Sequence, residues 1–380
     1  MSRKTDDPSH LGWRDLPKLI PVQRDSYRRQ VLMENPDLTY LFWECTLRCN
    51  LRCTHCGSSC EPSTPLNELT TEEMLGILQT IREDFDPTRM AVAITGGEPL
   101  MRQDLFQILA EMKKMGMLFG MVSNATLLTP EKAARLVEVG MQTVSISLDG
   151  VEAVHDQVRG EGSFKKTMQG ITNARRAGMP LVEAITCVRP ANVDLLEEVE
   201  RVVRQSGANH WRLITIDRMG RVAGEANPEF WLDAPQARRL LDFIERRRIE
   251  LARQGDDFDL RFSCGGFLGV HREHAVRPGD GQCFAGLCVA SILADGKVSA
   301  CPSLPRDWAQ GSVREDRLST IWQTRFKDFR DLSWRKTGAC EKCTWWGFCL
   351  GGGLHERLAQ PDCFCWMQRQ GWDPETGKFE

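Results

Sequence analysis

Apolar runs of six or seven residues alternate with amphipathic segments between residues 38 and 216. The runs predict six strands, at 38–44, 90–95, 118–123, 143–148, 182–188 and 211–216. The segments between them predict five helices, at 71–83, 103–115, 130–139, 164–176 and 193–205. Strands that are joined by helices pair in parallel through right-handed crossovers, and a full barrel of this kind needs eight units. The pattern therefore predicts an α/β fold, a partial (β/α)6 TIM-type barrel.

The charge balance of the chain argues against two classes of partner. The 380 residues carry 49 Lys+Arg against 52 Asp+Glu, a net charge of −3, which is not the basic balance of a nucleic-acid binder. No apolar run approaches the ~18 residues of a membrane span. The polar segment 1–37, in which 27–32 predicts a short helix, has no apolar core of a signal peptide. We expect a cytoplasmic protein that has no membrane span and binds no nucleic acid.

The cysteines are unusually numerous and unevenly placed. Fourteen of the fifteen lie in two blocks, 45–60 and 264–365, and only Cys187 lies between them. A chain of this size in a reducing compartment keeps its cysteines as thiols, and scattered thiols fill the core as small apolar groups. Clustering of this kind indicates metal sites instead.

The first block contains the spacing CxxxCxxC at Cys49, Cys53 and Cys56, directly after the first predicted strand. Loops at the carboxyl ends of strands carry the chemistry of α/β barrels. Three close thiolates suit an iron–sulfur cluster, and three ligands for four irons leave one iron open to a further ligand. A structural zinc site is the alternative, with Cys45, His55 or Cys60 as its fourth ligand.

A glycine-rich loop, Gly96-Gly97-Glu98-Pro99, follows the second strand at the same face of the barrel. Two glycines permit the backbone to approach a ligand closely, and Glu98 with nearby carbonyls could hold an ammonium group. Together with CxxxCxxC, this loop resembles the radical S-adenosylmethionine (SAM) superfamily over most of residues 38–216. The resemblance includes Ser123-Asn124, Ser147-Leu148-Asp149-Gly150 and the segment 155–160.

The resemblance implies a cofactor set and a radical reaction. Cys49, Cys53 and Cys56 would hold a 4Fe-4S cluster whose open iron binds the amino and carboxylate groups of SAM. An electron from an external reductant such as flavodoxin or ferredoxin would then yield methionine and a 5′-deoxyadenosyl radical, which abstracts hydrogen from a substrate. The positions expected to bind SAM are Gly96, Gly97, Glu98, Ser123, Asn124, Ser147 and Asp149. For the two serines, a role as turn or cap residues is an equal alternative.

The second block resembles the SPASM extension of radical enzymes. It contains Cys283-X12-Gly296-X4-Cys301 and then Cys340-X2-Cys343-X5-Cys349. The resemblance implies one or two auxiliary iron–sulfur clusters, and many enzymes with this extension modify peptides. For Cys340, Cys343, Cys349 and a fourth cysteine taken alone, a zinc ribbon is the alternative.

The second block departs from the SPASM pattern at Gly353, where the family has a cysteine. The missing ligand of the first auxiliary cluster could be Cys264, Cys288 or His355, since imidazole replaces thiolate in some iron–sulfur sites. Otherwise that cluster is incomplete. For the second cluster we expect Cys340, Cys343, Cys349 and a late cysteine, Cys365 in preference to Cys363.

These patterns predict four segments: a polar N-terminal segment 1–37, a radical SAM barrel 38–225, a helical bridge 226–260 with a helix at 235–253, and a SPASM-like domain 261–380. The sequence as a whole is similar to those of a branch of maturases associated with small lipoproteins or peptides. We expect hydrogen abstraction from a peptide or small protein, leading to oxidation or cross-linking. The alternatives are modification of a small molecule in cofactor or tetrapyrrole biosynthesis, and a zinc-binding interaction protein. The pattern identifies no catalytic acid or base.

Overall fold

The computed structural model describes residues 15–223, 229–263, 265–279, 281–359, 365–373 and 378–379. The strands are β1 Tyr40–Thr46, β2 Ala91–Gly96, β3 Leu118–Ser123, β4 Thr143–Ser147, β5 Leu181–Val188, β6 His210–Thr215, β7 Asp259–Phe262, β8 Val289–Ile292, β9 Lys297–Ser299, β10 Gly311–Ser312, β11 Trp372–Asp373 and β12 Lys378–Phe379. The helices are α1 Leu16–Glu34, α2 Thr71–Asp84, α3 Leu105–Lys114, α4 Pro130–Glu138, α5 Glu152–Arg159, α6 Ser163–Arg176, α7 Leu196–Ser206, α8 Ala234–Gln254, α9 Glu273–Val276, α10 Leu318–Arg325, α11 Lys327–Arg330, α12 Trp346–Cys349, α13 Leu354–Ala359 and α14 Trp366–Arg369. None of these helices combines the length and the apolar character needed to cross a bilayer.

The six predicted strands form β1 to β6, which lie side by side in chain order and pair in parallel. The five predicted helices are α2, α3, α4, α6 and α7, and each end lies within three residues of its expected position. Local signals explain this agreement. Thr70 and Glu73 form a capping box at the start of α2, and Thr129 caps α4 ahead of Pro130. The predicted α/β barrel fold is confirmed.

The sheet is longer than the six predicted strands. Its order is β10-β9-β8-β1-β2-β3-β4-β5-β6-β7, and β8 and β7 extend it in parallel at the two sides. β7 follows α8, the helix expected at 235–253, and β8 to β10 belong to the cysteine-rich part of the chain. The sheet therefore runs across the predicted boundaries at 225 and 260, and the division into segments stays a prediction.

The N-terminal segment folds against the far end of the chain. Its helix α1 covers 19 residues, well beyond the short helix expected at 27–32. Ser26 donates to the carbonyl of Gly347, and the buried Arg29 donates to the carbonyls of Phe348 (2.7 Å) and Cys349 (3.4 Å). Val22 packs in an apolar cluster with residues of the cysteine-rich part. The helix therefore supports α12, which ends at Cys349.

Candidate active site

The loop that carries the CxxxCxxC motif leaves β1 at the carboxyl edge of the sheet. It is fixed at several points: the Cys49 N–H donates to the Glu61 carbonyl at 2.8 Å, and the Thr54 N–H donates to the Val158 carbonyl at 2.9 Å. Arg221 donates to the carbonyls of Cys53 (2.8 Å) and Cys60. Backbone groups of the loop are thus held by the rest of the barrel.

The three thiols of the motif lie close enough to influence one another electrostatically. Burial raises the pKa of Cys49 to about 11, and it also raises the pKa of Cys53. The Cys60 side chain donates a hydrogen bond to Cys56 and lowers the pKa of the Cys56 thiol to about 5. Three cysteine sulfurs on one short loop, two of them on buried residues, suit a 4Fe-4S cluster.

N–H donors are already directed at these sulfurs. The Leu51 backbone N–H lies 3.4 Å from Cys49 Sγ, the Asn124 amide nitrogen lies 3.8 Å from the same atom, and Arg159 Nη1 lies 3.7 Å from Cys53 Sγ. Such donors stabilise the negative charge of cluster thiolates. The residues present therefore fit an iron–sulfur cluster at this loop.

The three alternatives for a fourth ligand occupy different places. Cys45 is buried in the apolar core, and His55 Nε2 faces Asp149 Oδ2 at 3.3 Å. Cys60 is the alternative whose thiol lies beside the motif, through its hydrogen bond to Cys56.

Gly96 and Gly97 lie against the start of the cysteine loop. A Cβ at Gly96 would lie 2.1 Å from the Thr46 carbonyl oxygen, and one at Gly97 would lie 2.2 Å from that of Arg48. The Gly97 N–H donates to Thr46 at 2.7 Å, and the Glu98 N–H donates to Arg48 at 2.9 Å. The two glycines are predicted to let the backbone approach a ligand closely. In this structure, they let it approach the loop before Cys49.

We expect Gly97→Ala to displace the cysteine loop, because the added methyl group meets a backbone oxygen that cannot rotate away. Overpacking of this kind costs about 1–3 kcal/mol of the free energy of unfolding. Chemical denaturation and iron analysis should show a less stable protein with less iron. The matched control is Gly76→Ala in α2, where a Cβ meets nothing within 4 Å and alanine should stabilise the exposed helix by up to ~1 kcal/mol. Equal iron contents in the two variants would contradict this interpretation.

The Glu98 carboxylate is fully buried and is bonded to the protein. It accepts hydrogen bonds from the Ser123 hydroxyl (2.9 Å), the Asn124 N–H (2.8 Å) and the Leu100 N–H (3.1 Å). Burial raises the pKa of Glu98, and these backbone donors oppose the rise. The Glu98 and Ser123 side chains join the ends of β2 and β3 to each other. Their contacts with SAM stay predictions.

Asn124 connects this junction to the cysteine loop. Its amide nitrogen donates to Asn50 Oδ1 at 3.0 Å and lies near Cys49 Sγ, while its Oδ1 accepts from Thr126. Asn124 thus orients the loop. Ser147 is half-buried at the carboxyl end of β4, the position predicted for a ligand contact.

The Asp149 carboxylate lies in a buried charge cluster behind Cys53. It accepts from Arg159 Nε at 2.6 Å and from the Cys187 N–H at 2.9 Å, and His55 Nε2 lies 3.3 Å away. Burial opposes its ionisation, but the neighbouring Arg159 and His55 hold the pKa of Asp149 well below its usual range. The protein itself satisfies this carboxylate, and the contact of Asp149 with SAM stays a prediction.

His55, Asp149 and Cys187 bring their potential ligand atoms within 4.8 Å of one another, as a metal site would. The cation present there is the Arg159 guanidinium, which lies 2.6 Å from Asp149 Oδ2 and 3.4 Å from His55 Nε2. The cluster is therefore an ion pair built into the barrel.

Four of the later cysteines line one small cavity in the C-terminal part. They are Cys340, Cys343, Cys349 and Cys365, and Trp345, Trp346 and Met367 surround them. Burial raises the pKa of Cys349 to about 11 and that of Cys365 to about 12, so a bound metal is what would keep them as thiolates. Four cysteines around an apolar cavity fit an iron–sulfur cluster. Cys363 lies outside the described residues.

Buried arginines adjoin this cavity. Arg357 Nη1 lies 3.6 Å from Cys340 Sγ, and Arg335 lies near both Cys283 and Cys349. Their charges would offset the negative charge of a cluster that four thiolates hold.

The first auxiliary site is less complete in the described residues. Cys283 and Cys301 are half-buried and pack against the main core, Cys288 is buried, and Cys264 lies outside the described residues. His355 Nε2 lies 3.1 Å from Asp217 Oδ2, which directs the imidazole toward β6. The replacement ligand, His355 included, stays a prediction.

The structure also gives a reason for glycine at 353. A Cβ there would lie 2.7 Å from Glu356 Oε2, and Glu356 is fully buried and accepts from Trp366 Nε1 at 2.7 Å. A cysteine at this position would have to displace the carboxylate.

A cavity of about 350 Å³ separates the cysteine loop from the C-terminal part. Gly57–Ser59, directly after Cys56, line one side of it. Pro302–Arg306, directly after Cys301, and His355 also line it. The cavity thus lies between the candidate radical site and the first candidate auxiliary site.

Several residues of the site were not identified from the sequence. Arg159, Arg221, Cys187, Asn192 and Asp217 reach the site from elements far apart in the chain. Arg159 could have been found from the sequence, because it lies in the segment 155–160. That segment is part of the family resemblance, but the resemblance assigns it no role.

Comparison with protein families gives two matches. Residues 43–205 match the radical SAM superfamily, and residues 283–344 match the SPASM iron–sulfur cluster-binding domain. Mycofactocin maturase MftC of Mycolicibacterium smegmatis is 32% identical over 349 residues, which cover 88% of this chain and 81% of that protein. The AdoMet-dependent heme synthase of Nitratidesulfovibrio vulgaris is 28% identical and covers 83% and 88%.

Solved structures share the fold. The structure of anSMEcpe with bound AdoMet and a peptide has a TM-score of 0.69 at 19% identity, covering 88% of this chain and 94% of that one. Streptococcus suis SuiB bound to its precursor peptide SuiA has a TM-score of 0.60 at 15% identity, covering 81% and 70%. At these identities, the likeness establishes the fold alone.

Proposed function

Because this chain belongs to the radical SAM superfamily and carries a SPASM domain, it is an enzyme that uses a 4Fe-4S cluster, SAM and auxiliary iron–sulfur clusters, and we propose that its substrate is a peptide or small protein. Cys49, Cys53 and Cys56 would hold the cluster, which with SAM and an electron from an external reductant such as flavodoxin or ferredoxin would supply a 5′-deoxyadenosyl radical. The chain's own residues hold the cysteine loop, exclude water and place a substrate C–H bond at the cavity.

The observation that supports this proposal is the cavity between the cysteine loop and the C-terminal part. Its volume of about 350 Å³ lies at the low end of the ~300–1,000 Å³ of pockets that enclose whole ligands. A cavity of this size suits one side chain of a polypeptide whose remainder stays outside. The relative MftC is a maturase, and SuiB, which shares the fold, was solved with its precursor peptide; both are consistent with this class of substrate.

Electron balance gives the C-terminal part its proposed role. Hydrogen abstraction leaves a carbon radical, and a new bond or double bond forms only when one more electron leaves. The segment after Cys301 lines the same cavity as the segment after Cys56, so an auxiliary cluster bound there would lie near the radical. Arg335, buried beside Cys283 and Cys349, would favour the reduced state of such a cluster.

A tetrapyrrole substrate is the second candidate. It is favoured by the heme synthase relatives, one of which covers 83% of this chain at 28% identity. A macrocycle is much larger than a single side chain and fits a cavity of about 350 Å³ less well, and this is why we rank it second.

The test is anaerobic turnover by the reconstituted enzyme with SAM and reductant. One set of reactions contains small peptides encoded beside its gene, and the other contains Fe-coproporphyrin III. We expect a peptide to raise 5′-deoxyadenosine formation at least about tenfold and to change in mass. A mass change of the porphyrin alone would support the second candidate and contradict the first.

A further inference from the structure

Arg159 is the last residue of α5, and its guanidinium lies beside a ligand of the radical SAM cluster. Nη1 lies 3.7 Å from Cys53 Sγ, within hydrogen-bonding range of a sulfur acceptor. Nε donates to Asp149 Oδ2 at 2.6 Å, and Nη2 lies 3.4 Å from His55 Nε2. One side chain thus connects a cluster ligand to a buried carboxylate.

Asp149 is itself held in place, so the guanidinium has little freedom. Its Oδ1 accepts from the Cys187 N–H, its N–H donates to His155 Nδ1 at 3.1 Å, and its carbonyl accepts from Asn192 at 2.9 Å. The Arg159 and Asp149 side chains are 10% and 1% exposed. A charge fixed in this way is not screened by water, and its effect on a neighbour is correspondingly large.

Arg159 differs from the other arginine that contacts this loop. Arg221 donates to the carbonyls of Cys53 and Cys60, so it supports the backbone. Arg159 contacts a sulfur instead. A residue that only holds the loop does not need to contact the sulfur of Cys53.

We propose that Arg159 is a positioning residue that raises the reduction potential of the cluster at Cys49, Cys53 and Cys56, and that Asp149 limits the rise. This inference rests on the presence of that cluster. Reduction adds one electron, and part of the added charge lies on the cysteine sulfurs. A cation that donates to Cys53 Sγ therefore stabilises the reduced state more than the oxidised one, and the Asp149 carboxylate has the opposite effect.

Two substitutions with opposite expected signs test the proposal. Arg159→Gln should lower the midpoint potential, with about a tenfold loss in the equilibrium constant for reduction, or about 59 mV for one electron. Asp149→Asn should raise the potential, because the guanidinium loses its counter-charge. Arg159→Lys keeps the charge and should recover at least half of the loss.

The measurement is an anaerobic redox titration followed by electron paramagnetic resonance. Addition of SAM identifies the signal of the three-cysteine cluster, because SAM should bind the open iron of this cluster and change its spectrum. The matched control is Arg277→Gln, which also breaks a buried ion pair, with Glu273 at 2.6 Å, in the C-terminal part. It should leave the potential of this cluster unchanged.

The outcomes separate this inference from the proposed function. Unchanged potentials in Arg159→Gln and Asp149→Asn proteins with full iron would overturn it, as would shifts of the same sign. Loss of the cluster from both variants would also overturn it, because Arg159 would then be needed for folding alone. Absence of any SAM-sensitive signal in the unmodified enzyme would instead defeat the proposed function.

Discussion

Replacing Cys49, Cys53 and Cys56 together with alanine is expected to abolish the cleavage of SAM to 5′-deoxyadenosine. The three thiols lie on one loop, and N–H donors are directed at the sulfurs of Cys49 and Cys53. Without thiolates, the loop cannot hold iron, and no open iron remains to bind SAM. Product formation under reducing, anaerobic conditions should fall to the level without enzyme, and iron content should fall by about four atoms per chain.

Cys45→Ala is the matched control for this experiment. Cys45 lies four residues before the motif but is buried in the apolar core, where burial raises the pKa of its thiol to about 12. Its loss should cost about 1 kcal/mol of stability and leave SAM cleavage intact. Undiminished 5′-deoxyadenosine formation by the triple variant would show that the radical chemistry does not use this loop.

The second large effect is expected at the cavity lined by Cys340, Cys343, Cys349 and Cys365. We expect Cys340→Ala or Cys349→Ala to remove roughly one cluster, about four iron atoms, and to lower the melting temperature. The surrounding helices α12 and α14 have four residues each, too few to be stable alone. Binding of the cluster therefore supplies much of the folding free energy there.

Iron and sulfide analysis with differential scanning calorimetry checks this prediction. The same Cys45→Ala protein is the control, since it loses a buried cysteine without losing a ligand. Unchanged iron in both the Cys340 and the Cys349 variant would rule out a cluster in this cavity. About one zinc ion per chain that is lost in both variants would favour a zinc ribbon in its place.

The sequence was sufficient to predict the parts of the fold that depend on local pattern. The positions of β1 to β6 follow from apolar periodicity, and the start of α2 follows from the Thr70 capping box. The cysteine loop could be located because its spacing is local and follows a strand. The resemblance to radical SAM and SPASM enzymes is confirmed by the family matches.

Properties that depend on distant partners could not be predicted. The sequence predicts that Glu98 and Asp149 contact SAM, which stays a prediction. It does not show that each carboxylate accepts a hydrogen bond from a residue 26 or 38 positions away, Asn124 and Cys187 respectively. A sequence pattern indicates that a carboxylate lies near a site, but it does not indicate which donors bind that carboxylate. For the same reason, the extension of the sheet by β8, more than 240 residues after β1, has no local signal.

The attachment of α1 to the C-terminal part has a consequence for synthesis on the ribosome. The helix is made early, yet the carbonyls that Ser26 and Arg29 bind lie 319–321 residues further along the chain. At about 5–20 residues per second, those partners appear roughly 15–65 s later. The apolar cluster that Val22 joins is also completed late, by Trp345, Met367 and Trp372. A product that stops before residue 347 leaves this side of α1 uncovered, and we expect such products to be bound by chaperones and degraded.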